Sequence, residues 1–307
     1  MTKKIFNQEV IGPQDFDLII KLMRSFFSQK NYKEVFPSPI KSILAACEDP
    51  STLRSFSFDG NTWPLAQTNQ MSLEMILLTM PEEADGIYCT TTSYRDEKNP
   101  IENRHKKIFG MFEFEHKGDF QGLIRTMSEL SVHLGFVESI EDIPFFTYNE
   151  LCDKYGVDIL ESEHENMMWE EYGDVVAITH FPKRTSPFFN MSYHGVDEKT
   201  GDELYNKCDF IICGQETFGA AERSCDTKQM LDSFHTISDG EYSKLLYDKF
   251  SKERVEDELK EYLSLPMIER YGAGIGITRL HRAMKLKNLL TIGKNTRQRR
   301  KAKALYI

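Results

Sequence analysis

Three groups of residues in this sequence have types and spacings suited to phosphate chemistry. In the first group, Arg95 ends a β-branched and aromatic segment, GIYCTTTSYR, and Phe109 opens a second such segment. An arginine at a strand end can hold a phosphate through two parallel hydrogen bonds, and an aromatic ring offers a stacking face for a base. A charged, exposed hairpin is the alternative interpretation. The residues between the two segments include three further polar candidates: Glu97, Arg104 and His105.

The second group is a glycine-rich segment, GAGIGITRL, that begins at Gly272 and contains Arg279. Alternating glycines allow a strand to approach a ligand closely, and Arg279 stands where the next helix should begin. The segment lacks the GxGxxG spacing of a dinucleotide-binding turn, and no Gly-Lys-Ser/Thr follows as in a P-loop. Alone, it predicts only a close approach of the backbone to another group.

The third group is Asp209, Glu216 and Arg223, which recur at equal intervals within DFIICGQETFGAAER. Two carboxylates that converge on one pocket could coordinate Mg²⁺, which prefers hard oxygen ligands. Arg223 could bind a substrate carboxylate through two hydrogen bonds. For isolated residues, a surface salt-bridge network is the alternative.

The elements that would position these groups follow no regular βαβ rhythm, which favours an α+β fold with an antiparallel sheet. Segments 86–95 and 108–115 predict two strands joined by a long, charged loop, and such loops are often functional. No domain boundary is evident before about residue 290, where a basic C-terminal tail, 291–307, begins. Other segments predict helices over 16–27, 241–263 and 279–290, and short strands over 175–179, 187–192 and 209–213.

The composition excludes several classes of protein. The net charge of −10 argues against general nucleic-acid binding, because polyanion affinity comes from lysine and arginine contacts to phosphate. The tail could contact RNA, but a solvated tail is the favoured interpretation. No apolar run is long enough to span a membrane, and the N-terminus is not a signal peptide. The six cysteines form no CxxC pair, which predicts reduced thiols in a cytoplasmic protein.

Taken in this order, the three groups resemble the motifs of class II aminoacyl-tRNA synthetases of the aspartyl/asparaginyl branch. The segment from Arg95 to Phe109 is similar to motif 2 of that family, and GAGIGITRL is similar to motif 3. EVFPSP, which begins at Glu34, resembles motif 1, the dimer interface of the family. The third group follows the branch's Asp…Gly-x-Glu…Arg pattern. The resemblance implies a class II catalytic domain over 1–290, with an antiparallel sheet flanked by helices, and a homodimer.

The resemblance also implies roles for single residues. Arg95 would hold the α-phosphate of ATP and Arg279 the γ-phosphate, so these two are the catalytic candidates. Such chemistry needs positioning and charge neutralisation, without a protein nucleophile. The implied ATP-binding residues are Arg95, Glu97, Arg104, His105, Phe109 and Arg279; the Mg²⁺ ligands are Asp209 and Glu216. The implied amino-acid-binding residues are Glu48, Gln70, Glu74, Glu113 and Arg223.

One segment bears on the amino acid. In the aspartyl enzymes a lysine follows Gln70 at the position of Leu73, whereas the asparaginyl enzymes have a glutamate at the position of Glu74. The sequence therefore resembles the asparaginyl enzymes, since a carboxylate accepts a hydrogen bond from an amide but repels a β-carboxylate. A helix-surface position for Glu74 is the alternative.

The acceptor of the activated group is expected to differ from tRNA. We find no counterpart of the family's OB-fold anticodon-binding domain, and Ile108 and Thr278 stand where the family has carboxylates. The favoured interpretation is an ammonia-dependent asparagine synthetase of the archaeal type, in which aspartyl-adenylate reacts with ammonia. Arg223 would then hold the second carboxylate and Glu74 would orient ammonium. The alternatives are adenylation of asparagine or a similar amino acid for another acceptor, tRNA charging, and a catalytically silent binding module.

Overall fold

The computed structural model describes residues 4–5, 8–38, 41–44, 50–96, 98, 101, 104 and 106–291. These residues form an α+β fold built on one large sheet, which confirms the predicted fold class. The strands are β1 (Lys4–Ile5), β2 (Gln8–Glu9), β3 (Lys33–Glu34), β4 (Ser55–Phe58), β5 (Asn61–Pro64), β6 (Gly86–Tyr94), β7 (Ile108–Lys117), β8 (Phe145–Thr147), β9 (Val175–Pro182), β10 (Tyr193–Val196), β11 (Glu203–Ile212), β12 (Gln215–Arg223) and β13 (Arg270–Gly276). The helices are α1 (Pro13–Gln29), α2 (Gln70–Thr79), α3 (Phe120–Leu134), α4 (Tyr148–Tyr155), α5 (Ser162–Tyr172), α6 (Thr227–Thr236), α7 (Glu241–Phe250), α8 (Lys252–Leu263) and α9 (Ile277–Leu286).

The large sheet has nine strands. Eight follow the order β3-β6-β7-β13-β12-β11-β9-β8, and β10 pairs with β11. Neighbouring strands are antiparallel except at the two ends, where β3 runs parallel to β6 and β8 runs parallel to β9. Strands β7, β13 and β12 therefore lie in the middle of the sheet, where both neighbours hold each backbone in register.

One face of the sheet carries the main apolar core. The alternation in β7 sends Phe112 and Phe114 to this face and Glu113 and Glu115 to the other. Helices α1, α3 and α9 cover the apolar face, and the ring of Phe27 in α1 stacks on Phe112 with 5.1 Å between ring centroids. Burial of these large apolar surfaces fixes which face of β7 meets the helices, and so fixes where its glutamates point.

The opposite face is polar at its centre and is covered by other helices at its margins. Leu73 and Leu77 of α2 pack on this face against Ile87 and Cys89 of β6. A second apolar core joins helices α6, α7 and α8 to the turn that contains Phe189. Between these covered regions, the centre of this polar face of the sheet is open to a cleft.

Several predicted elements are confirmed. The helix over 16–27 is part of α1, and segments 86–95 and 108–115 are the paired strands β6 and β7, in which Tyr94 lies opposite Ile108. The segments 175–179 and 209–213 fall on β9 and β11, although Cys213 leaves the strand in the left-handed region (φ 49°). Arg279 lies in the first turn of α9, as predicted.

Three element predictions are wrong in whole or in part. Residues 187–192 are not a strand, because Phe188 and Phe189 enter the second core from a turn that Met191 N closes on Phe188 O (3.0 Å). The helix predicted over 241–263 is broken at Ser251, whose φ of 69° and ψ of 145° separate α7 from α8. The last helix ends at Leu286, before Asn288 adopts a φ of 56°.

The cysteines agree with the expectation of reduced thiols as far as they are described. Cys89, Cys152, Cys208 and Cys213 are free and buried, and Cys225 is free and exposed. In the part of the chain that the structure describes, no helix is both long and apolar enough to cross a membrane.

Gly272 in β13 is required by a close approach of β7. A methyl group at this position would lie 2.0 Å from Glu115 Oε1 and 2.4 Å from Phe114 O. We expect Gly272→Ala to lower the free energy of unfolding by about 1–3 kcal/mol, because neither the strand nor the buried carboxylate can yield without disturbing the core. Gly276→Ala in the same strand is the matched control, since its methyl group would meet nothing nearer than 3.9 Å. Urea unfolding of both variants measures the difference, and equal stabilities would contradict the packing argument.

Candidate active site

The cleft lies over glycines in the middle of the sheet. Gly274 of β13 pairs with Gly219 of β12, and the same row continues to Glu113 of β7 on one side and Asp209 of β11 on the other. Residues paired across an antiparallel sheet share a face, so the two glycines form a flat floor between two carboxylates. The cleft encloses about 760 Å³, counting its open mouth. It is lined by Thr68, Gln70, Arg95, Arg104, Lys106, Phe109, Met111, Glu216, Thr217, Gly219, Gly274, Gly276, Thr278 and Arg279.

Arg95 and Phe109 face each other across the entrance of the β6–β7 hairpin. The guanidinium carbon of Arg95 lies 5.7 Å from the centroid of the Phe109 ring. Arg95 N donates to Lys107 O (2.8 Å), which extends the pairing of the two strands by one residue and fixes the direction of the side chain. A planar cation and a ring at this separation leave two flat surfaces for a nucleotide.

Arg104 connects the hairpin loop to α5. Its guanidinium donates to Glu165 Oε2 (2.6 Å) and to Gly214 O (3.1 Å). Glu165 also accepts from Glu216 N (2.8 Å), so one carboxylate joins the loop to the start of β12. Burial, followed by the charge of Glu216, raises the pKa of Glu165. Glu165 is not among the predicted site residues, because a glutamate in an acidic helix gives no signal of its own.

Arg279 is anchored at the first turn of α9. Its Nη1 donates to Glu216 O (2.7 Å) and lies 3.6 Å from Glu216 Oε2. The side chain remains partly exposed to the cleft, with 29% of its surface accessible. Phe112 and other residues of the core hold α9 against the apolar face, so the guanidinium starts from a rigid helix.

Asp209 and Glu216 converge above Gly219. A methyl group on Gly219 would lie 2.9 Å from Glu216 Oε1 and 3.7 Å from Asp209 Oδ1, so both oxygens lie within 4 Å of one point. Lys207 Nζ lies 2.8 Å from Asp209 Oδ2 and already supplies one positive charge there. Two carboxylate oxygens beside an open floor suit Mg²⁺, which takes one or two carboxylates and completes its shell with phosphate and water oxygens. Among the described residues, no three His, Cys, Asp or Glu side chains gather as an all-protein metal site would.

Glu74 and Arg223 lie beside the cleft, on the same face of the sheet, in a network of four buried charges that also includes Glu115 and Arg270. Glu74 Oε2 accepts from Arg270 Nη2 (2.8 Å), and Glu115 Oε1 accepts from Arg223 Nη2 (2.6 Å). Arg223 Nε lies 3.5 Å from Glu74 Oε1, which connects the two pairs. All four side chains are at most 2% exposed. The alternative that Glu74 is a helix-surface residue is therefore wrong.

Further neighbours hold Glu74 in place. Asn190 Nδ2 donates to its Oε1 (2.7 Å), and Tyr262 Oη of α8 donates to its Oε2 (2.9 Å). Gln70 Nε2 donates to Oε1 over 3.3 Å and also lines the cleft, so Gln70 connects the network to the cleft. Arg270 was not predicted as a site residue, although a charged residue beside a glycine-rich strand was a signal that could have been followed.

Glu113 is engaged with the loop that begins α2. Its carboxylate accepts from Thr68 Oγ1, from Asn69 N (3.0 Å) and from Thr91 Oγ1 (2.8 Å). With this many donors, Glu113 positions the segment next to Gln70, and a role in binding the amino acid stays a prediction. Three other predicted site residues, Glu48, Glu97 and His105, lie outside the described residues.

The structure thus gathers six of the predicted residues at one cleft, together with Lys106 and Thr68, which were not predicted. The six predicted residues are Gln70, Arg95, Arg104, Phe109, Glu216 and Arg279.

The sequence matches the family described as tRNA synthetases class II (D, K and N) over residues 16–292. The chain belongs to this family. Members of this class II synthetase family are amino-acid-activating ligases.

Solved class II synthetases have the same fold as this chain. The asparaginyl-tRNA synthetase from Pyrococcus horikoshii complexed with asparaginyl-adenylate is 19% identical, with a TM-score of 0.67 over 88% of this chain and 64% of that one. The Entamoeba histolytica asparaginyl-tRNA synthetase in complex with asparaginyl-adenylate is 17% identical, with a TM-score of 0.68 over 91% of this chain and 63% of that one. A putative aspartyl-tRNA synthetase from Leishmania major Friedlin is 15% identical, with a TM-score of 0.65 over 91% of this chain and 62% of that one.

At these identities the likeness establishes the fold alone. The chain spans slightly less than two thirds of the length of these solved synthetases. Comparison with curated protein sequences gives no match. The class II synthetase fold nevertheless explains why the motif 2 and motif 3 segments meet, since β7 and β13 are neighbours in the sheet.

The buried network predicts a large cost for removing one of its charges. We expect Glu74→Gln to lower the free energy of unfolding by about 3 kcal/mol, because it leaves the guanidinium of Arg270 buried beside a neutral side chain. Glu241→Gln is the matched control, since Glu241 pairs with Lys244 at an exposed position and should leave the urea midpoint unchanged. A Glu74→Gln midpoint equal to that of the control would show that the network is not balanced by Glu74.

Proposed function

We propose that this chain activates the carboxylate of an amino acid with ATP, forming an aminoacyl-adenylate and pyrophosphate. The observation that carries the proposal is the placement of Arg95, Phe109 and Arg279 around one cleft over a glycine floor. A carboxylate oxygen attacks the α-phosphorus, and the bond from that phosphorus to the bridging oxygen of pyrophosphate breaks. The protein needs to supply orientation and positive charge, which the arginines provide.

Each part of the cleft has a role in this reaction. Phe109 stacks on the adenine, and Arg95 neutralises the α-phosphate as negative charge builds up at the attacked phosphorus. Arg279 holds the terminal phosphates from the rigid start of α9. Mg²⁺, carried between Asp209 and Glu216, would offset further phosphate charge when bound.

The amino acid is proposed to carry a short polar side chain and to approach from Gln70 towards the buried network. Aspartate with ammonia as acceptor, which would make the chain an asparagine synthetase, is supported by Glu115. Burial raises the pKa of Glu115 to about 8, against the opposing charge of Arg223. With Glu115 protonated, the network has one surplus positive charge, and Arg223 can hold the carboxylate that is not activated.

Asparagine, passed as its adenylate to an acceptor other than tRNA, is the second candidate. It is supported by the equal numbers of glutamates and arginines in the network. Above a pH of about 8, where both glutamates are ionised, the network is neutral, and the amide of asparagine then enters it at a smaller cost than a carboxylate of aspartate does. Both relatives in complex with an adenylate hold asparaginyl-adenylate. Transfer to tRNA is a further, less favoured outcome.

We also propose that the chain forms a homodimer. The segment that resembles motif 1 includes β3, which lies at an edge of the large sheet. Phe36 follows it with 95% of its surface exposed, an arrangement that suits a contact between copies. A cytoplasmic location and the absence of membrane partners complete the proposal.

ATP–pyrophosphate exchange across a panel of amino acids tests the activity. We expect exchange that depends on aspartate or asparagine, and asparagine formation on addition of ammonium if aspartate is the substrate. Arg95→Ala should lower the exchange rate by at least about 100-fold, because it removes the charge beside the α-phosphate. Arg184→Ala, which breaks a surface pair with Asp202 away from the cleft, is the control and should retain the wild-type rate. If the folded protein catalyses exchange with none of the amino acids in the panel, the result would contradict adenylation.

The pH dependence of amino-acid affinity separates the two substrates. If aspartate binds to Arg223, its KM should rise as the pH increases through about 8, because Glu115 then ionises and competes for the guanidinium. The KM for asparagine should change little over the same range. Glu115→Gln, which cannot ionise, should remove the dependence. A KM for aspartate that stays level from pH 7 to 9 in the wild type would show that Glu115 does not control this subsite.

A further inference from the structure

The catalytic cleft continues beyond Arg279 into a second cavity. This cavity encloses about 1150 Å³, counting its open mouth, and shares Arg104, Lys106, Thr278 and Arg279 with the first. Its remaining walls come mainly from α9 and from the segment before α1. Thr68, Gln70, Arg95 and the glycine floor belong to the first cavity alone.

The second cavity is strongly basic in a chain of net charge −10. Of the 11 described residues that line it, none is acidic. Six are basic, five of them lysines or arginines that are charged at neutral pH. Three acids contact these groups without lining the second cavity: Glu165 pairs with Arg104, Glu216 pairs with Arg279, and Asp15 Oδ2 lies 3.0 Å from His281 Nε2. The basic residues are Arg104, Lys106, Arg279, His281, Arg282 and Lys285.

Arg282 and Lys285 contribute further positive charge, of which the nearby carboxylate of Glu165 offsets a part at Arg282. Arg282 is half-buried and donates to Cys213 O (2.9 Å), and burial lowers the pKa of its guanidinium, with Arg104 adding to the effect. Lys285 is exposed one turn further along α9. Within the described part of the chain, neither residue forms an ion pair with a carboxylate. A partly desolvated cation beside other cations gains from an anion that enters the cavity.

Under the proposed function, the position of the second cavity relative to the first identifies the anion that would bind in it. The acceptor must reach the activated carbonyl beside Gln70 and Arg95, which lie outside the second cavity. The terminal phosphates lie at Arg279, which the two cavities share. When the bond between the α-phosphorus and its bridging oxygen breaks, the electron pair leaves with pyrophosphate at this shared wall.

We propose that the second cavity is a pyrophosphate subsite, in which Arg282 and Lys285 receive the leaving group after adenylation. This inference rests on the proposed function, because it takes the orientation of ATP from Arg95 and Arg279. The subsite separates the leaving group from the adenylate.

Direct binding of pyrophosphate tests the subsite independently of catalysis. Pyrophosphate with Mg²⁺ is titrated by calorimetry into the full chain and into Arg282→Gln, Lys285→Gln and Lys287→Gln. Lys287 is the matched control, because it is the same residue type two positions on but pairs with Asp174 outside the cavity. We expect Arg282→Gln to weaken binding about tenfold, equivalent to about 1.4 kcal/mol, and Lys285→Gln to weaken it several-fold, with no change in the control.

The exchange reaction supplies a second readout. The KM for pyrophosphate should rise about tenfold in Arg282→Gln, whereas the KM for ATP should rise less than about twofold. Arg282→Lys keeps the charge and should restore most of the affinity, which separates charge from a general loss of structure. Equal increases of both KM values would mean that Arg282 contacts bound ATP, and would overturn the proposal. Binding of pyrophosphate by the wild type that none of the cavity variants weakens would also overturn it, even if exchange itself is confirmed.

Discussion

Two glutamates and two arginines are withdrawn from water together beside the cleft, and most of the site depends on how they compensate one another. A buried charge without a partner costs several kcal/mol, so each member is stable only while the others keep their places. The network joins α2 through Glu74, β7 through Glu115, β12 through Arg223 and β13 through Arg270. It therefore holds together four elements that are distant in sequence and that each contribute to the adjoining cleft.

The glycines of the central strands leave the space that this network and the adjoining cleft occupy. Where β7 and β13 run side by side, Glu115 lies across Gly272, in space that any side chain would fill. One row further along, Gly274 and Gly219 leave the floor open, and at Gly276 the strand turns into α9. The same alternation that buries phenylalanines on one face of β7 thus buries charge on the other and clears room for a substrate beside it.

Much of the fold and part of the site follow from the sequence because they rest on local pattern. The apolar period of α1 and the alternation in β7 identify both elements, and the order of the motifs around Arg95 and Arg279 carries the family resemblance from which the roles of these two residues are predicted. The network is different, because its members come from residues 74 to 270 and no spacing relates them. Arg270 resembles any charged residue at a strand start, and only the folded sheet shows that Glu74 and Tyr262 meet it. The sequence likewise does not show that Ser251, with a φ of 69° and a ψ of 145°, divides one apparent helix into α7 and α8.

The distribution of charge around the cleft gives the site a direction. Asp209 and Glu216 lie beside the floor, and Glu216 contacts Arg279, from which the basic side chains of α9 and the hairpin loop continue into the second cavity. A ligand rich in phosphate is drawn toward the basic residues, and the two carboxylates would hold a cation that offsets phosphate charge. Gln70 is uncharged and touches both the cleft and Glu74. Under the proposed function, the amino acid meets this polar, neutral side chain before it reaches the buried charges. The protonation of the network would then separate a carboxylate from an amide, while the arginines of the cleft would supply the charge for the chemistry.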